Sequence, residues 1–274
     1  MLLQKTSKTT RTINHIQMKI GNETISTLAY IPCHYGLSYL EAAITSIHPF
    51  VDKILILYSS KPTYGHAGSV TNPDKMSDIS KVCHKFTKIV FQDVTGLGIS
   101  AENKHRDLAY LYAKQQRESR SGLNFDLVLA VDADEIHDQA YIPELLHAGF
   151  LSNYHYHNVR GSQWFHFWKG HKEVNVDGFA PMRLVNLNNN VKNTNHIEVG
   201  RIYHMGYAIK REEMEYKLSC HGHKNEIAGS WYRDKWLNYE RGKTKFLHPA
   251  TDAYWIETED FAGKLPDYMP NPYH

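Results

Sequence analysis

An α/β fold with a mostly parallel central sheet and helices on both faces is what this sequence predicts, and three observations predict it. Short apolar runs alternate with segments of helical periodicity between residues 26 and 131. The last run, residues 125–131, gives out at an acidic pair, Asp132 and Asp134, and open α/β sheets bind their ligands at that carboxyl edge. Beyond residue 150 the texture turns aromatic and β-prone, which adds a mixed α/β C-terminal extension.

Residues 1–25 form a polar lead-in with room for one edge strand. Ser26-Thr27-Leu28-Ala29-Tyr30-Ile31 reads as a strand that Pro32 stops. From Tyr39 to Ile47 the apolar positions fall at helical spacing, with Ser38 as a cap. Residues 51–58 form a second strand, closed by Ser59-Ser60-Lys61-Pro62. Strand, helix and strand within about forty residues make a right-handed parallel crossover. Pro62, Gly65, Gly68 and Pro73 mark residues 60–80 as a long functional loop. Lys88-Ile89-Val90-Phe91 is a third strand. Gly96 and Gly98 lead into a helix from Glu102 to Gln116, and residues 125–131 are the fourth strand. Residues 1–150 thus read as the nucleotide-binding half. Residues 151–274 continue it without a linker, as one unit whose oligomeric state is left open.

Composition narrows the class. Hydrophobic residues are 42% of 274 and charged residues 22%, enough apolar material for a sizeable core. A net charge of +2 does not mark a nucleic-acid binder. Cys33, Cys83 and Cys220 show neither a zinc spacing nor a disulfide framework, which fits a reducing compartment. No apolar run is long enough to span a membrane, and no apolar signal core follows Lys5, Lys8 and Arg11, so the expected location is cytoplasmic.

Two carboxylates side by side at a strand end repel unless a positive charge lies between them. A hard divalent cation with oxygen ligands does this and leaves positions for phosphate oxygens. Capping of the next helix by Asp134 or Asp138 is the plainer alternative. His155-x-His157 and His221-x-His223 lack further ligands at zinc spacing, which disfavours a zinc site.

Taken together, the chain resembles the GT-A glycosyltransferases, in the family 2-like branch with an Asp-x-Asp motif, over roughly residues 25–225. The residues that carry the resemblance are Tyr30-Ile31-Pro32-Cys33-His34-Tyr35, then Asn103-Lys104-His105-Arg106, Asp132-Ala133-Asp134-Glu135 and Pro181-Met182-Arg183-Leu184. His196-Ile197-Glu198 and His204-Met205-Gly206-Tyr207 with Lys217 complete them. The resemblance implies that Tyr30, Pro32, His34, Asn103, Arg106, Asp132 and Lys217 bind a nucleotide-sugar, a UDP-sugar above all. It implies that Asp132, Asp134 and His204 hold Mn2+ or Mg2+. Asp177 and Glu198 are the candidates for a base on the acceptor hydroxyl.

The acceptor is open between a glycan and a modified base in DNA, since soluble glycosyltransferases that decorate phage DNA are known. Trp164 and Trp168 are candidate stacking residues, and Arg241 and Lys243 candidate contacts to a phosphate backbone. An amphipathic helix that buries Trp231, Trp236 and Tyr239 is the plainer account of that basic stretch. Two rivals remain: a metal-dependent phosphohydrolase or nuclease using the same aspartates, and a non-catalytic nucleotide or nucleic-acid-binding module.

Overall fold

Strands buried on both faces carry apolar residues at successive positions, and this is how the first half of the chain is written. The computed structural model describes residues 15–62, 71–97, 103–119, 122–159, 163–177, 181–189, 191, 194–198, 200–220 and 224–271. A short hairpin (β1, Lys19–Ile20; β2, Glu23–Thr24) leads into β3 (Thr27–Cys33), α1 (Leu37–Ile47) and β4 (Lys53–Tyr58). Next come α2 (Met76–Cys83), β5 (Ile89–Asp93), α3 (Asn103–Glu118) and β6 (Leu127–Ala130). Strands β6, β3, β4 and β5 are parallel neighbours in that order.

The period of two in these strands sorts the core into two layers. Ala29, Ile31, Ile54 and Ile56 pack against Leu40 and Ile44 of α1 and Ile79 of α2. Leu28, Leu55 and Leu57 point the other way, onto Ala109 and Ala113 of α3. Helices therefore cover both faces of the parallel part.

The rest of the chain does not extend this sheet alone. From β6 it turns through Asp132–Asp134 into β7 (Glu135–His137), then α4 (Ile142–Leu151), β8 (Tyr156–Val159) and β9 (Gln163–Trp168). Strands β10 (Glu173–Asp177), β11 (Met182–Asn186), β12 (Thr194–Ile197) and β13 (Arg201–Tyr207) follow, with α5 (Arg211–Cys220) and β14 (Glu259–Asp260) after them. Strands β11, β8 and β12 complete a seven-stranded sheet ordered β12-β8-β11-β6-β3-β4-β5, and β14-β10-β9-β13-β7 form a second sheet. The acidic turn thus sits where the chain passes from one sheet to the other. Among the described residues no helix is long and apolar enough to cross a membrane.

Several expectations are corrected. Pro32 does not stop β3, which runs to Cys33. Even-numbered positions of β3 turn their backbone toward β6, as the bond from Val131 N to Tyr30 O shows, and the β3–β6 pairing ends at Ala130. The missing N–H of Pro32 therefore faces no acceptor strand. Residues 60–80 are not loop throughout, because α2 begins at Met76. The lead-in holds two paired strands where one edge strand is expected.

Ser38 does not cap α1. The N-cap position is Gly36, at φ 111°, and the Asp74 carboxylate accepts from Gly36 N at 2.7 Å and Leu37 N at 2.8 Å. A carboxylate at a helix N-terminus satisfies orphan donors and meets the positive end of the helix dipole. Asp74→Ala is expected to cost about 1–2 kcal/mol. Urea denaturation reads this as a lower midpoint at unchanged slope, and an unchanged midpoint would remove Asp74 as the cap.

Candidate active site

The site forms because an antiparallel strand starts at the edge where its parallel neighbours end. Strand β11 pairs Leu184 with Leu129, so Arg183 lies beside the carboxyl end of β6 and the acidic turn that follows. Strand β13 pairs His204 with Glu135 from the other side. A cavity of about 930 Å³ opens between them. Its walls bring together Tyr30, Pro32, His34, Asn103 and Arg106 with Asp132, Asp134, His204 and Lys217.

Asp132 and Asp134 do not project together from a strand end. They lie in a turn closed by Glu135 N donating to Asp132 O at 3.0 Å, and each meets a different base. Arg183 donates through Nη2 to Asp132 at 2.7 Å and to Glu135 at 2.5 Å, and through Nε to Glu135 at 3.0 Å. The Glu135 side chain is 2% exposed, so this fork-like contact is its charge compensation. Partial burial raises the Asp132 carboxyl above the usual carboxylate range. Arg183 opposes the rise, while Glu135 and Asp134 add to it.

Asp134 meets Lys217 Nζ at 3.4 Å, and Lys217 also donates to Gly206 O at 3.1 Å. Burial would raise the Asp134 carboxyl, but Lys217 outweighs it and holds it below its ordinary value. His204 Nε2 is 3.9 Å from Asp134 Oδ1. Burial pulls His204 down to about 3 despite that carboxylate, so the ring is neutral at pH 7 and the contact is not an ion pair. His204 Nδ1 is 3.0 Å from His166 Nδ1, which orients the ring and leaves Nε2 turned to Asp134. Tyr35 also lines the cavity; burial, then Asp134, push its phenol well above its usual range.

A neutral imidazole beside an ionised carboxylate is a donor pair a divalent cation accepts, so Asp134 and His204 fit one. Among the described residues no set of three His, Cys, Asp or Glu side chains is placed to hold an ion, so a bound ligand would supply further oxygens. Asp132, paired with Arg183 and 47% exposed, stands on the other side of the turn.

Gly206 permits the convergence. A Cβ there would lie 2.6 Å from His204 Cε1, 2.6 Å from Lys217 Nζ and 2.9 Å from Asp134 Oδ2. Lys217 can swing aside, but the imidazole cannot. Gly206→Ala is expected to lower turnover by about a hundredfold or more, since small misplacements of catalytic groups cost that much. Its melting temperature should fall as well, through the roughly 1–3 kcal/mol that overpacking costs, so turnover is compared where the variant is folded. Steady-state kinetics beside a thermal melt checks this, and wild-type turnover would show that the cluster tolerates displacement.

At the end of β3, His34 Nδ1 contacts Ser59 O at 2.7 Å and Nε2 contacts the Tyr216 hydroxyl at 2.5 Å, so both ring nitrogens are engaged. Arg106 lies over the Tyr156 ring at 5.7 Å, and its Nε is buried without a hydrogen-bond partner. His105, which the sequence reading passes over, is 5% exposed with Nδ1 unpartnered. Other expected residues stand elsewhere. Glu198 is exposed after β12 at the far edge of the large sheet and does not line the cavity, whereas the backbone of Asp177 ends β10 opposite Trp164 and its side chain lies outside the described residues.

Trp164 does line it, but Trp168 is 2% exposed and packs on Tyr207, Trp231 and Tyr239 in the core, so it is no acceptor wall. Arg241 pairs with Asp260 at 2.7 Å and Lys243 with Glu240 at 2.5 Å, outside the cavity. Trp231 and Trp236 are buried, around a π-helical turn at Tyr232–Leu237 in place of a regular helix. His155 bonds Asn186 O at 2.7 Å, and His221 and His223 lie outside the described residues. Arg183, Glu135 and Tyr35 are absent from the sequence-derived site. Their signal was adjacency: Glu135 follows the acidic pair, Tyr35 follows His34, and Arg183 sits in the Met-Arg-Leu run.

No protein-family model matches the chain. No curated protein matches it either. Among solved structures, S. aureus TarS 1-349 aligns with a TM-score of 0.32 and a longer S. aureus TarS chain with 0.33, both at 12% identity over 50% of this chain. The alignments cover 36% and 22% of those chains, so this chain spans well under half of either. Likeness at that level defines neither a shared fold nor a shared activity.

Proposed function

We propose that the chain is a glycosyltransferase with a GT-A-type donor site, moving a sugar from a nucleotide-sugar, a UDP-sugar above all, to an acceptor hydroxyl. One observation carries the reading. The strand-end residues Tyr30, Pro32 and His34, the helix residues Asn103 and Arg106, and the charged cluster around Asp134 face a single cavity at the carboxyl edge of the parallel strands.

The division of labour follows from position. Tyr30, Pro32 and His34 offer flat and apolar contacts to a base, while Arg106 and Asn103 supply donors. Arg183 holds Asp132 beside the sugar-binding edge. Lys217, held at the cavity wall by Asp134 and Gly206 O, presents a point charge to the diphosphate, on which negative charge builds as the glycosidic bond breaks. A divalent cation, Mn2+ or Mg2+, held by Asp134 and His204 would add charge neutralisation at the same leaving group.

A phosphohydrolase would need carboxylates free for two ions. Here Asp132 and Glu135 are committed to Arg183, which leaves Asp134 and His204 for one ion and no carboxylate for a second, so the charge arrangement favours transfer.

A thermal-shift panel of nucleotides and nucleotide-sugars, with and without manganese, tests the proposal. A nucleoside diphosphate sugar at about 100 times its Kd stabilises by about 2.7 kcal/mol, or a rise of roughly 5–10 °C for a domain of this size. The rise should be larger with manganese. A panel in which no nucleotide shifts the melt removes the transferase reading.

A further inference from the structure

Tyr35 owes its place to the way the chain leaves β3. Gly36, at φ 111°, packs on the acidic turn so closely that a Cβ there would lie 3.0 Å from Ala133 Cβ. The residue before it is thereby carried to the cavity wall beside that turn. Both Asp134 and Asp132 act on the Tyr35 phenol, Asp134 the more strongly, which sets the ring between the two carboxylates.

Two neighbouring rings fix its direction. Tyr35 meets His34 at 5.9 Å and Tyr216 at 5.7 Å, each nearly perpendicular. Edge-to-face contacts of this kind hold an aromatic ring beyond what its buried area contributes. His34 is itself pinned, because Ser59 O and the Tyr216 hydroxyl occupy its two nitrogens. Ser59 O can only accept, so Nδ1 carries the proton and Tyr216 donates to Nε2. The residue after Tyr216 on α5 is Lys217, which meets Asp134.

The hydroxyl at the end of this held ring has no work within the fold. Other tyrosines end on an acceptor: Tyr39 on Ala208 O at 2.6 Å, Tyr203 on Asp138 at 3.1 Å and Tyr232 on Glu215 at 2.8 Å. Among the described residues Tyr35 Oη bonds none, yet it is not among the sealed polar atoms that lack a partner. It opens on the cavity. A fixed tyrosine hydroxyl left without a protein acceptor is one that a ligand completes.

Its neighbours decide which ligand atom it suits. A guanidinium between two carboxylates closes onto them, as Arg183 does with Asp132 and Glu135. A phenol is a neutral donor at pH 7, so it can lie beside Asp134 and keep its O–H for an anionic oxygen. Such an oxygen arrives here if a diphosphate lies against Lys217 and the acidic turn.

We propose that Tyr35 is a diphosphate-binding residue, its hydroxyl donating to an oxygen of the second phosphate of a nucleoside diphosphate. The proposal deepens the nucleotide-sugar reading of this cavity and rests on it.

Calorimetric titration of the full chain at a fixed manganese concentration, with UDP, ADP, GDP and CDP and the four monophosphates, tests it. The wild type should bind at least one diphosphate more tightly than its monophosphate. Tyr35→Phe keeps both ring contacts and removes the hydroxyl alone. It should weaken that diphosphate by about tenfold or more, the scale of a hydrogen bond to a charged group, and the monophosphate by less than about twofold. The matching nucleotide-sugar should weaken by the same factor as the diphosphate. Because the hydroxyl has no partner in the fold, the variant should melt at or above the wild-type temperature. Tyr232→Phe, which loses a hydroxyl bonded to Glu215 outside the cavity, should leave every affinity unchanged.

A wild type indifferent to the second phosphate, equal diphosphate affinity in Tyr35→Phe, an equal loss for the monophosphate, or a loss confined to the nucleotide-sugar would each overturn the assignment. So would a variant that melts well below the wild type or does not fold, because the hydroxyl would then serve the fold. The two readings fail separately. A wild type that binds no nucleotide removes the transferase reading and this contact with it, whereas a wild type that prefers the diphosphate beside an unaltered Tyr35→Phe removes the contact alone.

Discussion

Arg183→Met is expected to destabilise the protein more than any other single substitution in the charged cluster, by roughly 3–5 kcal/mol. The reason lies in what it leaves behind. Glu135 is 2% exposed and both its oxygens lie on the guanidinium, so removing Arg183 strands a buried carboxylate. Asp132, at 47% exposure, can turn to water and should contribute little to the loss. For a domain of this size a loss of that order lowers the melting temperature by roughly 10 °C. Arg183→Lys keeps the charge but not the fork and should fall between the two. Adding Glu135→Gln to Arg183→Met removes the stranded charge, and the double variant should recover about half of the stability. Denaturant titration of wild type, Arg183→Met, Glu135→Gln and the double variant reads the cycle, with Arg183→Lys measured beside them. If Arg183→Met melts with the wild type, Glu135 is neutral in the folded protein and the pairing contributes nothing.

That pairing also marks how far the sequence is legible. Local periodicity reveals β3, α1, β4, β5, α3 and β6, because each strand is built on a short apolar run, broken at Gln92 and Asp93 of the edge strand β5, and each helix segment shows its spacing within a dozen residues. The cavity residues of that half, from Tyr30 to Asp134, lie at the ends of those elements, so their convergence follows from a parallel sheet. Arg183 belongs to an antiparallel strand inserted beside β6, and pairing between residues about fifty apart leaves no local pattern. Trp168 and Trp255 show the same limit. Both are tryptophans in an aromatic region, yet Trp168 is sealed by Tyr207 and Trp231 while Trp255 walls the cavity, and only the fold separates them. The expectation that Pro32 stops its strand fails for a related reason. Proline forbids a donor, not a strand, and whether a donor is needed depends on where the neighbour ends.

Asp134→Asn is expected to have the largest effect on chemistry. The carboxylate engages Lys217, faces Nε2 of His204 and stands over Gly206, so its charge organises every group that would meet the diphosphate. Losing one preorganised electrostatic contact costs about 10²–10³ in turnover, and here the contact also positions two others, so a loss of at least about 10³ is expected. Stability should change far less. Lys217 keeps its bond to Gly206 O and its place 5.3 Å over the Tyr207 ring, and asparagine preserves volume, leaving a cost of about 1–3 kcal/mol. With base recognition proposed on the Tyr30–Pro32 side, nucleotide affinity without metal should shift by less than about tenfold, while any extra stabilisation by manganese should vanish. Lys217→Met tests the same unit from its other end. If the two residues act together, the double variant will be little slower than Asp134→Asn alone, as for groups that work as one device. Strictly multiplicative losses would assign them separate roles, and full turnover in Asp134→Asn would remove the acidic turn from the reaction altogether.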